Sequence, residues 1–230
     1  LTTNSIIDNA LAEGRHLLYA DEAVNLLTMI GIPVNPCRVA ADENTAIAAA
    51  DEIGYPVALK IRSQVITHKT DFGGVILGIK DQAAFRQAYS QMMKKTREID
   101  PAAQVTVEPM ATAGVELFVG MTDDQQFGPV MAFGLGGTLL ELYNDTTFRL
   151  IPLKRDDAAD MLKSIKGAKI LEGYRGQHPV DKEALIDMIL NLSRLVESAP
   201  QIKEIDLNPV FAYSNGVLAV DARIIIDKTP

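Results

Sequence analysis

The chain has 230 residues, 47% of them hydrophobic and 23% charged, with a formal net charge of −8. This is the composition of an ordinary soluble globular protein, long enough for one large domain or two small lobes, and it excludes a broad basic footprint for nucleic acid. No apolar run approaches the ~18 residues needed to cross a membrane, and no signal peptide opens the chain, so the expected location is cytoplasmic. The single cysteine, Cys37, forms no internal disulfide, and one Cys with three His excludes a Cys-rich zinc site. The start at Leu1 without Met, and the end at Thr229-Pro230 just after a strand-like run, read as a piece of a longer protein.

Helical spacing runs through 4–13 and 20–30, and Gly31 stops the second helix. Pro33 and Pro36 bracket a connector into a short strand, 37–40. Asp42 or Asn44 caps an Ala-rich helix that ends at Gly54. VALKI (57–61) is a strand, and the loop SQVITHKTDFGG leads to a second one, VILGI (75–79). A helix over 81–97 carries Phe85, Ala88, Tyr89 and Met92 on one face. The pattern then turns strand-rich: VTVEPM (105–110), VELFVGM (115–121), PVMAFG (129–134), TLLEL (138–142) and FRLIP (148–152). Helices return at 156–165 and 181–198. The Ala-Thr-Ala-Gly stretch 111–114 reads as a hinge between a smaller lobe, 1–110, and a larger strand-rich lobe, 111–230. Strands mixed with helices and hairpins make the fold α+β.

The last strands hold the most informative residues. IDLNPV (205–210) and GVLAVDARI (216–224) read as two adjacent strands joined by a Ser214-Asn215-Gly216 turn. Alternation puts Asp206 and Asn208 on one face, and the return strand carries Asp221 back toward Asn208. Three oxygen-bearing side chains then converge among apolar residues. Hard oxygen ligands of this kind suit Mg²⁺, which keeps several waters and takes one or two carboxylates. The alternative is that Asp206 caps a turn and Asp221 pairs with Arg223 or a neighbour.

Four other places carry chemistry. Lys60 sits inside an apolar strand and needs a partner, either a carboxylate such as Glu116 or Glu141, or a phosphate. THKTDFGG (67–74) ends in glycines that let backbone amides approach an anion. Its His68 is either a phosphorus nucleophile or an idle loop histidine. FGLGG (133–137) is a glycine turn without the residues of a P-loop or a dinucleotide fingerprint, and a plain hairpin would look the same. Arg149 beyond it meets a phosphate or pairs with Glu141. Glu108, Pro109 and Met110 end a strand at the hinge and offer backbone groups and an apolar shelf for a purine edge. No Ser-His-Asp arrangement is present.

Taken in order, VALKI, HKTDFGGV, VEPM, GVELFVGM, GLGGTLLEL, IDLNPV and the Asp of VLAVDARI resemble the ATP-grasp domain of the NDP-forming acyl-CoA synthetases. The similarity is to the beta subunit of ADP-forming acetate–CoA ligases and, more distantly, to that of succinyl-CoA synthetases, and it covers roughly residues 10–227. The resemblance implies an ATP-grasp fold of two lobes with ATP or ADP and Mg²⁺ bound between them. It implies that Lys60 contacts phosphates, that Glu108, Pro109 and Met110 line the adenine pocket, and that Glu116 lies near the nucleotide. Gly136 and Gly137 match a turn near the phosphate path. Asn208 and Asp221 match the Mg²⁺ ligands, and Asp206 the acidic residue that supports a phosphohistidine. His68 matches the histidine that transiently carries phosphate. Where many relatives read Ser-Pro-Asp-Ile ahead of the histidine, this chain reads Ser63-Gln64-Val65-Ile66. The family's CoA-binding portion is not within these residues, so CoA-binding and ligase domains of the same chain or of a partner subunit are implied partners. Some bacterial protein lysine acetyltransferases carry a similar region fused to an acetyltransferase domain, which makes a regulatory nucleotide-binding domain the alternative reading.

Overall fold

The computed structural model describes residues 2–66, 69–137, 145–173 and 178–228. The chain divides into two compact units. The larger comprises Leu1–Leu18, Asn25–Val34 and Ala113–Pro230, and the smaller Tyr19–Val24 and Asn35–Thr112.

The smaller unit is a four-stranded antiparallel sheet in the order β1-β4-β2-β3, formed by β1 (Arg38–Ala40), β2 (Val57–Arg62), β3 (Val75–Ile79) and β4 (Gln104–Pro109). Helices α3 (Glu43–Ile53) and α5 (Gln82–Thr96) pack against it and against each other. Asp42 caps α3 by accepting from the Thr45 amide at 2.8 Å, as its position before the Ala-rich run requires. The alternation of β2 and β4 separates two faces. Val57, Leu59, Ile61, Val105 and Val107 point into a core with Phe85, Tyr89 and Met92 of α5 and Ala46, Ile47 and Ala50 of α3. The opposite face carries Ala58, Lys60 and Arg62 beside Gln104, Thr106 and Glu108. A single helical turn, α4 (Lys69–Phe72), interrupts what sequence suggests is an unbroken loop before β3.

The larger unit holds a six-stranded antiparallel sheet with the path β10-β8-β5-β6-β7 and β9 also paired to β8. Its strands are β5 (Val115–Asp124), β6 (Gly128–Leu135), β7 (Thr146–Leu150), β8 (Ile202–Tyr213), β9 (Gly216–Ala219) and β10 (Ala222–Ile226). Helices α6 (Arg155–Ser164) and α7 (Lys182–Ser198) pack on each other and against β6, β7 and β9. The apolar positions Leu185, Ile189 and Leu192 of α7 are buried, as their helical spacing demands. The N-terminal helix α1 (Thr3–Ala12) belongs to this unit: Ile6, Ile7 and Ala10 are buried, the Leu18 amide donates to Ile224 O at 3.1 Å, and Leu17 bridges Ile225. Segments 1–18 and 25–34, expected in a first lobe, therefore pack with the second half of the chain. Helix α2 (Ala20–Met29) contributes its first turn and a half to the smaller unit and the rest to the larger.

The fold is α+β, as its sequence pattern indicates. The run 216–224, read as one strand, is two strands, because Val220 and Asp221 leave the ladder between β9 and β10. The TLLEL segment lies outside the described residues. Phe85 is fully buried and Phe127 is 65% exposed. Phe85→Ala is expected to lower the unfolding free energy of the smaller unit by about 3–5 kcal/mol in urea denaturation. Phe127→Ala should change stability by no more than about 0.5 kcal/mol.

Candidate functional site

Strand β8 organises the acidic set. Its buried residues are Ile202, then Ile205 and Leu207, then Val210 and Ala212, so around the acidic set the inward parity changes between 207 and 210. Along the β5 edge the register slips by one at the same place, from Leu117↔Val210 to Val119↔Leu207. Along the other edge it does not slip: Val210 faces Ala219 and Leu207 faces Ala222. Two residues, Val220 and Asp221, therefore span the gap opposite Pro209 and Asn208, and the Val220 amide donates to Pro209 O at 2.9 Å. The sequence expectation that Asp221 returns beside Asn208 holds.

Asp206 is half-buried, and its Oδ1 is buried without a hydrogen-bond partner among the described residues. Burial raises its carboxyl above the ordinary value, Glu204 and Asp221 raise it further, and Arg223 opposes them. Arg223 pairs with Glu204 at 2.6 Å. An orphaned carboxylate oxygen, a second carboxylate and an exposed amide side chain make a donor set that fits a hard divalent cation completed by water. Among the described residues there is no cluster of three or more His, Cys, Asp or Glu placed to hold a metal ion.

The glycine turn after β6 is built around Glu116. The Gly136 amide donates to Glu116 O at 2.8 Å. Gly137 has φ +62°, the left-handed region that favours glycine, and the Glu116 carboxylate lies against it. Glu116, Gly136 and Gly137 thus form one local group. Sequence reasoning missed Asp145, which is 4% exposed and accepts from the Lys166 and Gly167 amides at 2.6 and 2.7 Å. Its own carbonyl lies against Gly134, where any side chain would strike it. A lone Asp before a strand reads as a turn residue, so nothing in the sequence marked this buried anchor. Arg149 donates to Thr147 Oγ1, Phe148 O and Ser164 Oγ. Glu141, suggested as its partner, lies outside the described residues.

In the smaller unit, Lys60 Nζ lies 2.9 Å from Glu108 Oε2, with both side chains buried. The sequence suggested Glu116 or Glu141 as the carboxylate; the register explains the difference, since Lys60 faces Thr106 and Ala58 faces Glu108, leaving Glu108 diagonal to Lys60 on the same face. Thr106 Oγ1 donates to Glu108 Oε1 at 3.3 Å, and Asn35 Nδ2 reaches Glu108 Oε2 at 3.4 Å and Pro109 O at 3.0 Å. Arg62, two residues along, is held by both oxygens of Asp21, by Gln104 and by the Tyr19 ring at 3.6 Å. Met110 is 38% exposed, and its Sδ accepts from the Gly78 amide at 3.3 Å.

His68 lies outside the described residues, but both flanks are anchored. Ser63 Oγ accepts from the Val65 and Ile66 amides at 3.0 and 3.1 Å and donates to Asp100 Oδ2 at 2.6 Å. On the far side the Gly74 amide closes on Lys69 O at 2.6 Å, and Lys95 Nζ donates to Phe72 O at 3.1 Å. A Cβ at Gly74 would come within 2.6 Å of Ile61 Cδ1, which explains the second glycine of the pair.

The chain belongs to the ATP-grasp domain family, whose model matches residues 9–226. Its homologues are ADP-forming acetate–CoA ligases. The Pyrococcus furiosus acetate–CoA ligase I subunit beta is 44% identical over 96% of this chain and 96% of that protein. The Archaeoglobus fulgidus acetate–CoA ligase II is 41% identical over 92% of this chain but only 31% of its own length. Candidatus Korarchaeum cryptofilum acetyl-coenzyme A synthetase 1, solved with coenzyme A and Ca-AMPCP, superposes with a TM-score of 0.93 at 40% identity, covering 98% of this chain and 100% of that one. No helix among the described residues is long and apolar enough to cross a membrane.

Cys37 stands beside the buried pair. Burial pushes its thiol up to about 12; Glu108 and Asp21 add to the rise, and Lys60 and Lys69 oppose it. The folded chain therefore holds the thiol neutral where an unfolded chain ionises, a contribution to stability present below pH 9.0 and lost as pH climbs toward 12. At pH 8 the folded protein should carry roughly a thousandfold less thiolate than the denatured chain. Alkylation rates with and without denaturant check this, and equal rates would contradict it.

Proposed function

We propose that this chain is the Mg-ATP-binding, phosphoryl-transferring part of an ADP-forming acyl-CoA synthetase of the acetate–CoA ligase type. The observation that carries the reading is the return of Asp221 beside Asn208 and Asp206 in a chain homologous along nearly its whole length to the beta subunits of such ligases. The reaction is acyl-CoA + ADP + phosphate ⇌ acid + CoA + ATP, completed by CoA-binding and ligase domains in the same chain or a partner subunit. A related structure, 39% identical, holds Mg-AMPPCP with its phosphohistidine segment pointing toward the nucleotide site.

Each residue then has a task. Asn208 and Asp221 hold Mg²⁺, and the adjacent Asp206 adds negative charge and orients the phosphohistidine. The bound ion supplies neutralisation of the phosphate oxygens during transfer. Lys60 meets the phosphates as a point charge, and Pro109 and Met110 face the base. Glu116 with Gly136 and Gly137 shapes the turn by the phosphate path. A neutral His68 nitrogen attacks the γ-phosphorus of ATP; the bond to the β-bridging oxygen breaks, and ADP leaves with the electron pair. The phosphohistidine then passes its phosphoryl group onward to the acid.

Mg-ATP at about 100 times its dissociation constant should stabilise the folded chain by about 2.7 kcal/mol. Thermal unfolding reads this, and Asn208→Ala and Asp221→Ala should each abolish most of the shift while Asp42→Ala keeps it. In the complete enzyme, labelled ATP should give an acid-labile, base-stable adduct that His68→Ala lacks. No shift with millimolar Mg-ATP in the folded wild type would contradict the reading. Mg-ATP binding without any adduct would favour a regulatory nucleotide-binding domain instead.

A further inference from the structure

We infer that Glu108 serves the phosphate end of the nucleotide, acting through Lys60, and not the adenine end. The inference rests on the nucleotide-binding reading above and reassigns one residue within it. Glu108 stands just ahead of Pro109 and Met110, in the segment assigned to the base. Its side chain does not go that way. It is 4% exposed, and both carboxylate oxygens are engaged: Oε2 with Lys60 Nζ at 2.9 Å and Asn35 Nδ2 at 3.4 Å, Oε1 with Thr106 Oγ1 at 3.3 Å.

The electrostatics give that pairing a purpose. Lys60 is only 5% exposed, and a buried ammonium without a carboxylate tends to give up its proton. A neutral Lys60 cannot meet a phosphate as a cation. The neighbouring charge, Arg62, cannot substitute, because Asp21, Gln104 and Tyr19 already hold its guanidinium. Glu108 therefore keeps Lys60 protonated and fixes its Nζ before any phosphate arrives, so the charge need not be assembled on binding. Thr106 and Asn35 orient the carboxylate. Asn35 also donates to Pro109 O at 3.0 Å, which ties the pair to the segment left facing the base. Glu108 is thus a positioning residue whose loss should be felt by phosphate and not by adenosine.

Calorimetric titration of the full chain with Mg-tripolyphosphate and, separately, with adenosine tests this in wild type, Glu108→Gln, Lys60→Met and the double variant. Glu108→Gln should weaken tripolyphosphate about tenfold, leave adenosine within about twofold, and add nothing in the Lys60→Met background, the non-additivity expected of one coupled pair. Should Glu108→Gln fail to fold, Glu108→Asp keeps the charge on a shorter arm, and tripolyphosphate should weaken with adenosine unchanged. Unchanged tripolyphosphate affinity in the folded variant overturns the inference, as does a loss confined to adenosine. Failure of the wild type to bind tripolyphosphate, ATP or adenosine overturns the nucleotide-binding reading itself.

Discussion

The larger unit depends on one strand having two edges with different registers. β8 slips by a residue against β5 at Asn208–Pro209, yet its pairing with β9 and with Ala222–Ile225 of β10 keeps one register across that point. A one-residue slip turns every later side chain to the other face. Here it lets Leu207 and Val210 both point inward on either side of the exposed Asn208. The same interruption leaves a two-residue gap between β9 and β10, and Asp221 fills it opposite Asn208. Burial, with Glu204 and Asp221 nearby, raises the Asp206 carboxyl above its ordinary value, so a charged Asp206 is costly there. Core packing and the candidate metal site are thus two results of a single irregularity.

The smaller unit solves a different problem. One face of its sheet is a conventional apolar core under α3 and α5. The other carries Lys60, Arg62 and Glu108 in positions with little access to water, and such charges destabilise unless every one is paired. Arg62 is closed off by Asp21, Gln104 and Tyr19, while Lys60 and Glu108 satisfy each other with help from Thr106 and Asn35. Replacing such a pair with apolar residues is often neutral for stability. Stability alone therefore does not account for the pair, and the proposed phosphate role of Lys60 does.

Much of this was legible in the sequence because it depends on local periodicity. Strand β3 and the helices α5 and α7 follow directly from apolar spacing, and Asp42 from its place ahead of an Ala-rich run. The encounter of Asp221 with Asn208 followed from a turn at Ser214-Asn215-Gly216 and simple counting back along the strand. What stayed hidden was set by pairing between distant segments. Glu108 as the partner of Lys60 requires knowing that β2 lies antiparallel to β4 in one register. The clamp of Asp145 on residues 166–167, and that of Asp100 on Ser63, join segments whose sequences show only ordinary polar residues. The break between β9 and β10 was invisible because Leu218 to Ala222 alternates no differently from a continuous strand.

The central claim is that the middle of β8, at Asp206 and Asn208 with Asp221 opposite, holds the metal of a metal–nucleotide complex, and Mn²⁺ used in place of Mg²⁺ tests it most directly. With ADP present, Mn²⁺ should broaden the backbone amide resonances of residues 206–208 and 221–222 before those of any other part of the larger unit. That broadening should disappear in Asp221→Ala while the spectrum stays folded. Broadening centred elsewhere, on the exposed Lys203–Asp123 pair for example, or left unchanged by Asp221→Ala, would contradict the account.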